Sequence, residues 1–233
     1  MTKKAKPLSR PETTLVLTSS VDGRITSSDS NMLDKNPNWK MIPGVRGYLQ
    51  QSFGITSEPG VYNLIPGSRM SQAGINFRTG TPDREDIRLI VLDHKRDLTV
   101  EGINYLARCV NRLIVVCGKV HPITKSKNIE KNLSLITQSR FSREKLLNSL
   151  KKKRVKKVTI QSAGKLNSTW INEGLIDHLT VIIYPLIVGE SGTPIFTNTK
   201  ISTVRPLRLI DIRPFNLNYI SLNYQVINDK VET

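Results

Sequence analysis

Three short stretches of this chain couple an apolar strand to a turn whose residues could face a ligand. In the first, Val158-Thr159-Ile160 leads into Ser162-Ala163-Gly164, then Lys165 and a helix-like segment that ends at Gly174. Strand, small-residue turn and helix is the arrangement that brings backbone N–H groups to a phosphate. The plainer account is a strand-to-helix connection whose small residues allow tight packing. In the second, Pro66-Gly67-Ser68-Arg69-Met70 offers a close backbone approach, a hydroxyl and a guanidinium that could meet a phosphate. A helix start with a solvated arginine would read the same way. In the third, Thr18-Ser19-Ser20-Val21-Asp22-Gly23-Arg24-Ile25 sets hydroxyls and one carboxylate after a strand. An Asp-Gly turn in which Asp22 bonds its own backbone is the competing reading.

Other chemistries lose their usual support. His94, His121 and His178 are far apart and show no metal-ligand spacing, so metal binding is not expected. Gly-x-Ser-x-Gly, the Walker lysine motif and a full Gly-x-Gly-x-x-Gly are absent, which argues against hydrolase and kinase chemistry. Cys117-Gly118-Lys119 could line the same ligand edge, with a core cysteine followed by a loop as the simpler account.

Strand-like runs must position these turns: residues 14–18, 60–65, 87–93, 112–117, 133–137, 157–161 and 179–188. Between them the pattern predicts helices over 45–53, opened by Pro43-Gly44, and over 100–110, capped by Thr99. Two more are predicted over 142–153, capped by Ser142, and over 165–173, stopped by Gly174. This alternation implies an α/β fold with a mostly parallel sheet flanked by helices. Runs 207–213 and 219–227, separated by Pro214-Phe215-Asn216-Leu217-Asn218, read as a C-terminal antiparallel hairpin. With no repeat or linker, the expected organisation is a mobile basic tail over 1–12 and a single domain over 13–228.

Composition narrows the partners. Thirty-five Lys and Arg against nineteen Asp and Glu give a formal charge of +16, which favours anionic ligands. The densest block, Lys151 to Lys157, reads as the solvated end of a helix, because base-stacking aromatics are missing around it. No apolar stretch reaches the ~18 residues that span a bilayer. With two cysteines and no secretory segment, a cytoplasmic protein with reduced thiols is expected.

Taken together, the motifs resemble the reductase domain of riboflavin biosynthesis, a branch of the dihydrofolate-reductase-like fold. The residues that carry the resemblance are Ser20-Val21-Asp22-Gly23-Arg24-Ile25, Ile160-Gln161-Ser162-Ala163-Gly164-Lys165-Leu166-Asn167, Gly174-Leu175-Ile176-Asp177 and Pro185-Leu186-Ile187-Val188-Gly189. The resemblance implies an NADPH-dependent reductase acting on a phosphorylated ribosylamino-pyrimidine by direct hydride delivery, and a homodimer. It implies Asp22 as catalytic residue, orienting the sugar or relaying a proton, and Ser20, Asp22 and Asn31 at the substrate. It puts Gly67, Ser68, Arg69 and Met70 on one side of the cofactor and Ser162, Ala163, Gly164, Lys165 and Leu166 on its pyrophosphate. The chain departs from the family pattern at Ala163, where a second glycine is usual, at Met70 in place of threonine, and at Gly74 in place of an acid. Two alternatives stay open: a related NAD(P)H oxidoreductase of unassigned substrate, or a non-catalytic basic scaffold that binds nucleic acid or a partner.

Overall fold

The computed structural model describes residues 10–26, 56–162, 164–197, 205–215 and 219–228. The predicted helix over 45–53, Asn31, Ala163 and most of the basic tail lie outside them. The chain divides into two compact units, one built from 1–12 and 56–158, the other from 13–55 and 159–233.

In the first unit the strands are β2 (Val61–Pro66), β3 (Glu85–Leu92), β4 (Val110–Cys117) and β5 (Leu133–Thr137), paired in parallel in the order β5-β4-β3-β2. Val61 to Ile65 and Leu113 to Cys117 are buried at every position, so both faces of these strands are covered. That is why they read as unbroken apolar runs. Their connections carry α1 (Gly67–Gln72), α2 (Val100–Cys109) and α3 (Arg143–Lys152). Thr99 accepts the Gly102 N–H at 3.0 Å and Ser142 the Lys145 N–H at 3.3 Å, so both predicted caps form. Leu146, Leu147 and Leu150 form the buried stripe of α3. The stretch 67–72 was expected as a turn or helix start, and a helix begins there directly after Pro66.

In the second unit β1 (Glu12–Ser20) begins at the division and runs parallel to β7 (His178–Tyr184). β9 (Tyr219–Val226) adds antiparallel to β7, and β8 (Leu207–Phe215) antiparallel to β9. The short β6 (Lys157–Ile160) leads into α4 (Gly164–Asn172). Gly174 ends that helix in the left-handed region at φ 65°, as its place in the sequence required. The fold is thus an α/β arrangement with a mostly parallel, mixed sheet and a C-terminal antiparallel hairpin.

Two boundaries needed correction. The run expected as a strand over 179–188 stops at Tyr184, because Pro185 has no N–H and the Leu186 N–H turns back to the Tyr184 carbonyl at 2.7 Å. Pro214, expected in the hairpin loop, lies inside β8 opposite Ile220. Among the described residues no helix is long and apolar enough to cross a membrane.

Candidate active site

After β1 the chain folds back on itself: the Gly23 N–H donates to the Ser20 carbonyl at 3.0 Å and the Ser20 N–H to the Arg24 carbonyl at 2.8 Å. The Asp22 carboxylate stands over this turn. Its Oδ1 accepts the Ser20 hydroxyl at 2.6 Å and the Val188 N–H at 3.1 Å, and its Oδ2 accepts the Gly189 N–H at 2.7 Å. The Ser20 hydroxyl and the Gly189 amide hold the Asp22 carboxyl down to about 2, against a usual 3.8. Asp22 therefore bonds a segment 166 residues away and not chiefly its own turn. These bonds give the carboxylate a positioning role: it clamps the Pro185-to-Gly189 segment onto the Ser20-to-Ile25 turn.

The clamp is extended by backbone pairing. Val21 N–H donates to Leu186, Ile25 N–H to Thr193, and Ile195 N–H to Gly23, at 2.8–3.0 Å. The Thr26 hydroxyl accepts the Thr193 N–H at 2.8 Å, and Arg24 Nη1 donates to the Gly192 carbonyl at 3.2 Å. A side chain at Gly192 would meet the Thr26 carbonyl at 2.7 Å.

The first turn of α4 grips the same loop from its other end. The buried Asn167 accepts the Ser162 hydroxyl at 2.5 Å and donates to the Ile195 carbonyl at 3.0 Å. Ser168 donates to the Thr197 carbonyl at 3.2 Å. Gly164 lies against Thr197, whose Oγ1 would stand 2.7 Å from an added Cβ. Here the absent side chain makes room for the loop. Lys165 is exposed, Leu166 and Ser162 are half-buried, and the first turn of α4 holds no acidic residue. A helix start with a cation and no acid suits an anionic group.

Gly67, Ser68, Arg69 and Met70 all lie on α1 in the first unit, with Gly67 buried and the other three half-buried. A Cβ on Gly67 would come within 2.6 Å of Asp93 Oδ1. Asp93, fully buried just after β3, accepts the Asp97 N–H at 2.8 Å, the Leu98 N–H at 3.2 Å and His121 Nε2 at 3.0 Å. His121 Nδ1 accepts the Ile123 N–H at 3.2 Å, which assigns the donated proton to Nε2. This node ties the C-terminal ends of β2, β3 and β4 together beneath α1. The sequence reading missed it, although an aspartate closing an apolar buried strand was its available signal. Cys117, at the end of β4, is fully buried, and burial pushes its thiol up to about 11. Among the described residues no group of three or more His, Cys, Asp or Glu side chains could hold a metal ion.

Comparison with known proteins gives this geometry a family. Residues 66–220 match the model described as the RibD C-terminal domain. The uncharacterized protein YyaP of Bacillus subtilis is 26% identical over 111 residues, which make up 48% of this chain and 56% of that protein. Among solved structures, Acinetobacter baumannii RibD superposes with a TM-score of 0.63 at 19% identity, over 94% of this chain and 58% of that one. The Saccharomyces cerevisiae riboflavin biosynthesis reductase gives 0.59 at 16% identity, over 96% and 93%. A pyrimidine reductase-like protein of Corynebacterium diphtheriae gives 0.61 at 15%, over 94% and 93%. The chain thus spans less than two thirds of the Bacillus and Acinetobacter proteins and nearly all of the other two. The superpositions establish the fold, and the match over more than half of the sequence establishes that the chain belongs to the RibD C-terminal domain family.

Proposed function

We propose that the protein is an NADPH-dependent reductase that converts a phosphorylated ribosylamino-pyrimidine to its ribitylamino product. One observation carries the reading: the family match over 66–220 takes in both the Gly67-to-Met70 and the Ser162-to-Leu166 stretches. The donor set of the α4 turn, a lysine with no acid beside it, fits an anionic cofactor. Ser162, Gly164, Lys165 and Leu166 would hold its pyrophosphate, and the family resemblance makes Gly67, Ser68, Arg69 and Met70 cofactor contacts too. Bound there, NADPH supplies the hydride that reduces the open-chain ribosyl imine.

The protein's own residues then act by position more than by acid–base strength. Asn167 and Ser168 fix the loop over 193–197 from the helix side, and Asp22 fixes Val188 and Gly189 from the turn side. Ser20 is committed to Asp22, so its part at the substrate is to keep that carboxylate aimed.

Titration with NADPH and NADH, followed by nucleotide fluorescence and melting temperature, tests the reading. NADPH should bind and raise the melting temperature, with Lys165→Glu weakening binding while the fold is kept. If neither nucleotide binds at millimolar concentration, the reductase reading falls. A related oxidoreductase would bind the nucleotide and leave the ribosylamino-pyrimidine unreduced. The scaffold reading draws on a basic cavity of about 520 Å³ lined by Arg10, Lys151, Arg154 and Lys156, with Glu12 as its carboxylate. It requires steeply salt-dependent retention on an anionic polymer and no nucleotide binding.

A further inference from the structure

Two helices of the molecule end in the same backbone motif with different residues at its left-handed position. At the end of α4 the Leu175 N–H donates to the Trp170 carbonyl at 3.1 Å and the Gly174 N–H to the Ile171 carbonyl at 3.0 Å. At the end of α3 the Val155 N–H donates to the Leu150 carbonyl at 3.1 Å and the Arg154 N–H to the Lys151 carbonyl at 2.8 Å. Both are Schellman closures, and the closing residue is left-handed in each, at φ 65° for Gly174 and 63° for Arg154. Glycine adopts that conformation freely, whereas an arginine Cβ is brought too close to the carbonyl oxygen that follows it. The helix dipole does not call for an arginine there, because Lys151 and Lys152 already stand in the last turn. Strain of this kind, held in place by the buried Leu150 and Val155, points to a role for the side chain it carries.

That side chain lines the cavity of about 520 Å³ together with Arg10, Lys151 and Lys156, with Glu12 as the one carboxylate. Pro11 and Val155, both buried, complete the lining. The Glu12 N–H donates to the Lys156 carbonyl at 2.9 Å and ties together the two chain segments that form the cavity. Arg10 Nη1 donates to the Pro11 carbonyl at 3.1 Å, while Arg154 and Lys156 are exposed to solvent. All of these residues belong to the first unit, and none is among those assigned to the cofactor.

We infer that this cavity binds a small ligand carrying two phosphoryl groups, at a site separate from the reductase turns. Size and charge select the ligand. Cavities of about 300–1,000 Å³ hold small molecules. Four cations and one carboxylate leave three positive charges, and two phosphoryl groups carry roughly three to four negative charges near neutral pH. The guanidinium groups of Arg10 and Arg154 offer paired N–H donors in the geometry that phosphate oxygens accept. A nucleic-acid strand is the poorer occupant, because no aromatic ring lines the cavity for a base to stack on.

Residue-resolved NMR of the full chain at fixed ionic strength decides it, with inorganic pyrophosphate as the probe. Pyrophosphate should shift the amides of Glu12, Arg154, Val155 and Lys156 saturably, both in the wild type and in Lys165→Glu, whose cofactor turn is disabled. Arg154→Gly, which relieves the left-handed position, should keep or raise the melting temperature and weaken this binding about tenfold, the scale of one lost charge-assisted hydrogen bond. Lys156→Gln, which leaves the backbone motif untouched, should weaken it likewise, and Lys127→Gln, an exposed cation outside the cavity, should not. Inorganic phosphate should bind more weakly than pyrophosphate. Shifts that never saturate, either cavity variant binding as the wild type does, or a melting temperature lowered by Arg154→Gly overturns the inference. So does a single-stranded oligonucleotide that takes the cavity more tightly than pyrophosphate. Because the shifts are read at the cavity itself, this site and the reductase reading can fail separately.

Discussion

Asp22 in the second unit and Asp93 in the first are both used to hold backbone amides of other segments, in opposite surroundings. Asp93 is sealed at 0% exposure and adds a histidine to two amide donors. Asp22 leaves 29% of its side chain in water and adds a serine hydroxyl to two amides. Enclosure changes what the same chemistry is worth. A buried carboxylate that loses its partners, or donors that lose their carboxylate, cannot fall back on water. The open one can, so its effect lies in where it holds the loop and in how that hold responds to acid.

Three measurements would break or sharpen this contrast. The largest effect is expected for Asp93→Ala, which strands His121 Nε2–H and the Asp97 and Leu98 amides. At about 1–3 kcal/mol for each of the three stranded donors, a loss of at least about 3 kcal/mol in urea unfolding follows. A loss below about 1 kcal/mol would show that water reaches the node. Next comes Gly67→Ala, which forces a methyl into Asp93. Overpacking of that kind costs about 1–3 kcal/mol. Because the clash is with Asp93 itself, the double variant with Asp93→Ala should lose less than the sum of the two, and strict additivity would separate the residues. The smallest effect belongs to Asp22→Asn and is identified by its pH dependence. The carboxyl is held at about 2 in the fold against 3.8 unfolded, so its contribution is present above about pH 4 and fades as pH falls towards 2. The variant should lose that part of the acid limb of its stability curve, and an identical limb in both proteins would refute the clamp.

Much of the fold was legible because it is local. The β-branched runs over 112–117 and 133–137, the caps Thr99 and Ser142, and the stop at Gly174 each act within a few residues of themselves. What escaped depends on partners distant in sequence. Asp22 showed its Asp-Gly turn, but its bonds to Val188 and Gly189 exist only once β1 and β7 are paired. Asp93 and His121 are 28 residues apart and share no motif. The bulge at Ile210 is set by the β9 register, and the string Leu-Arg-Leu-Ile-Asp-Ile carries no turn residue to announce it. Met70 and Gly74, where the chain departs from the family pattern, are half-buried on α1 and left-handed just after it, at φ 79°. Nothing in the structure explains either substitution.

The pairing of β1 with β7 also bears on how the chain is made. Thr13 bonds Asp177 across 164 residues and Asp22 bonds Val188 across 166. At about 5–20 residues per second of synthesis, roughly ten to thirty seconds separate the appearance of β1 from that of the strand it needs. During that interval Leu15 and Leu17, fully or almost fully buried in the finished protein, have no native partner strand in β7. A chain stalled before β7 is a natural client for chaperones.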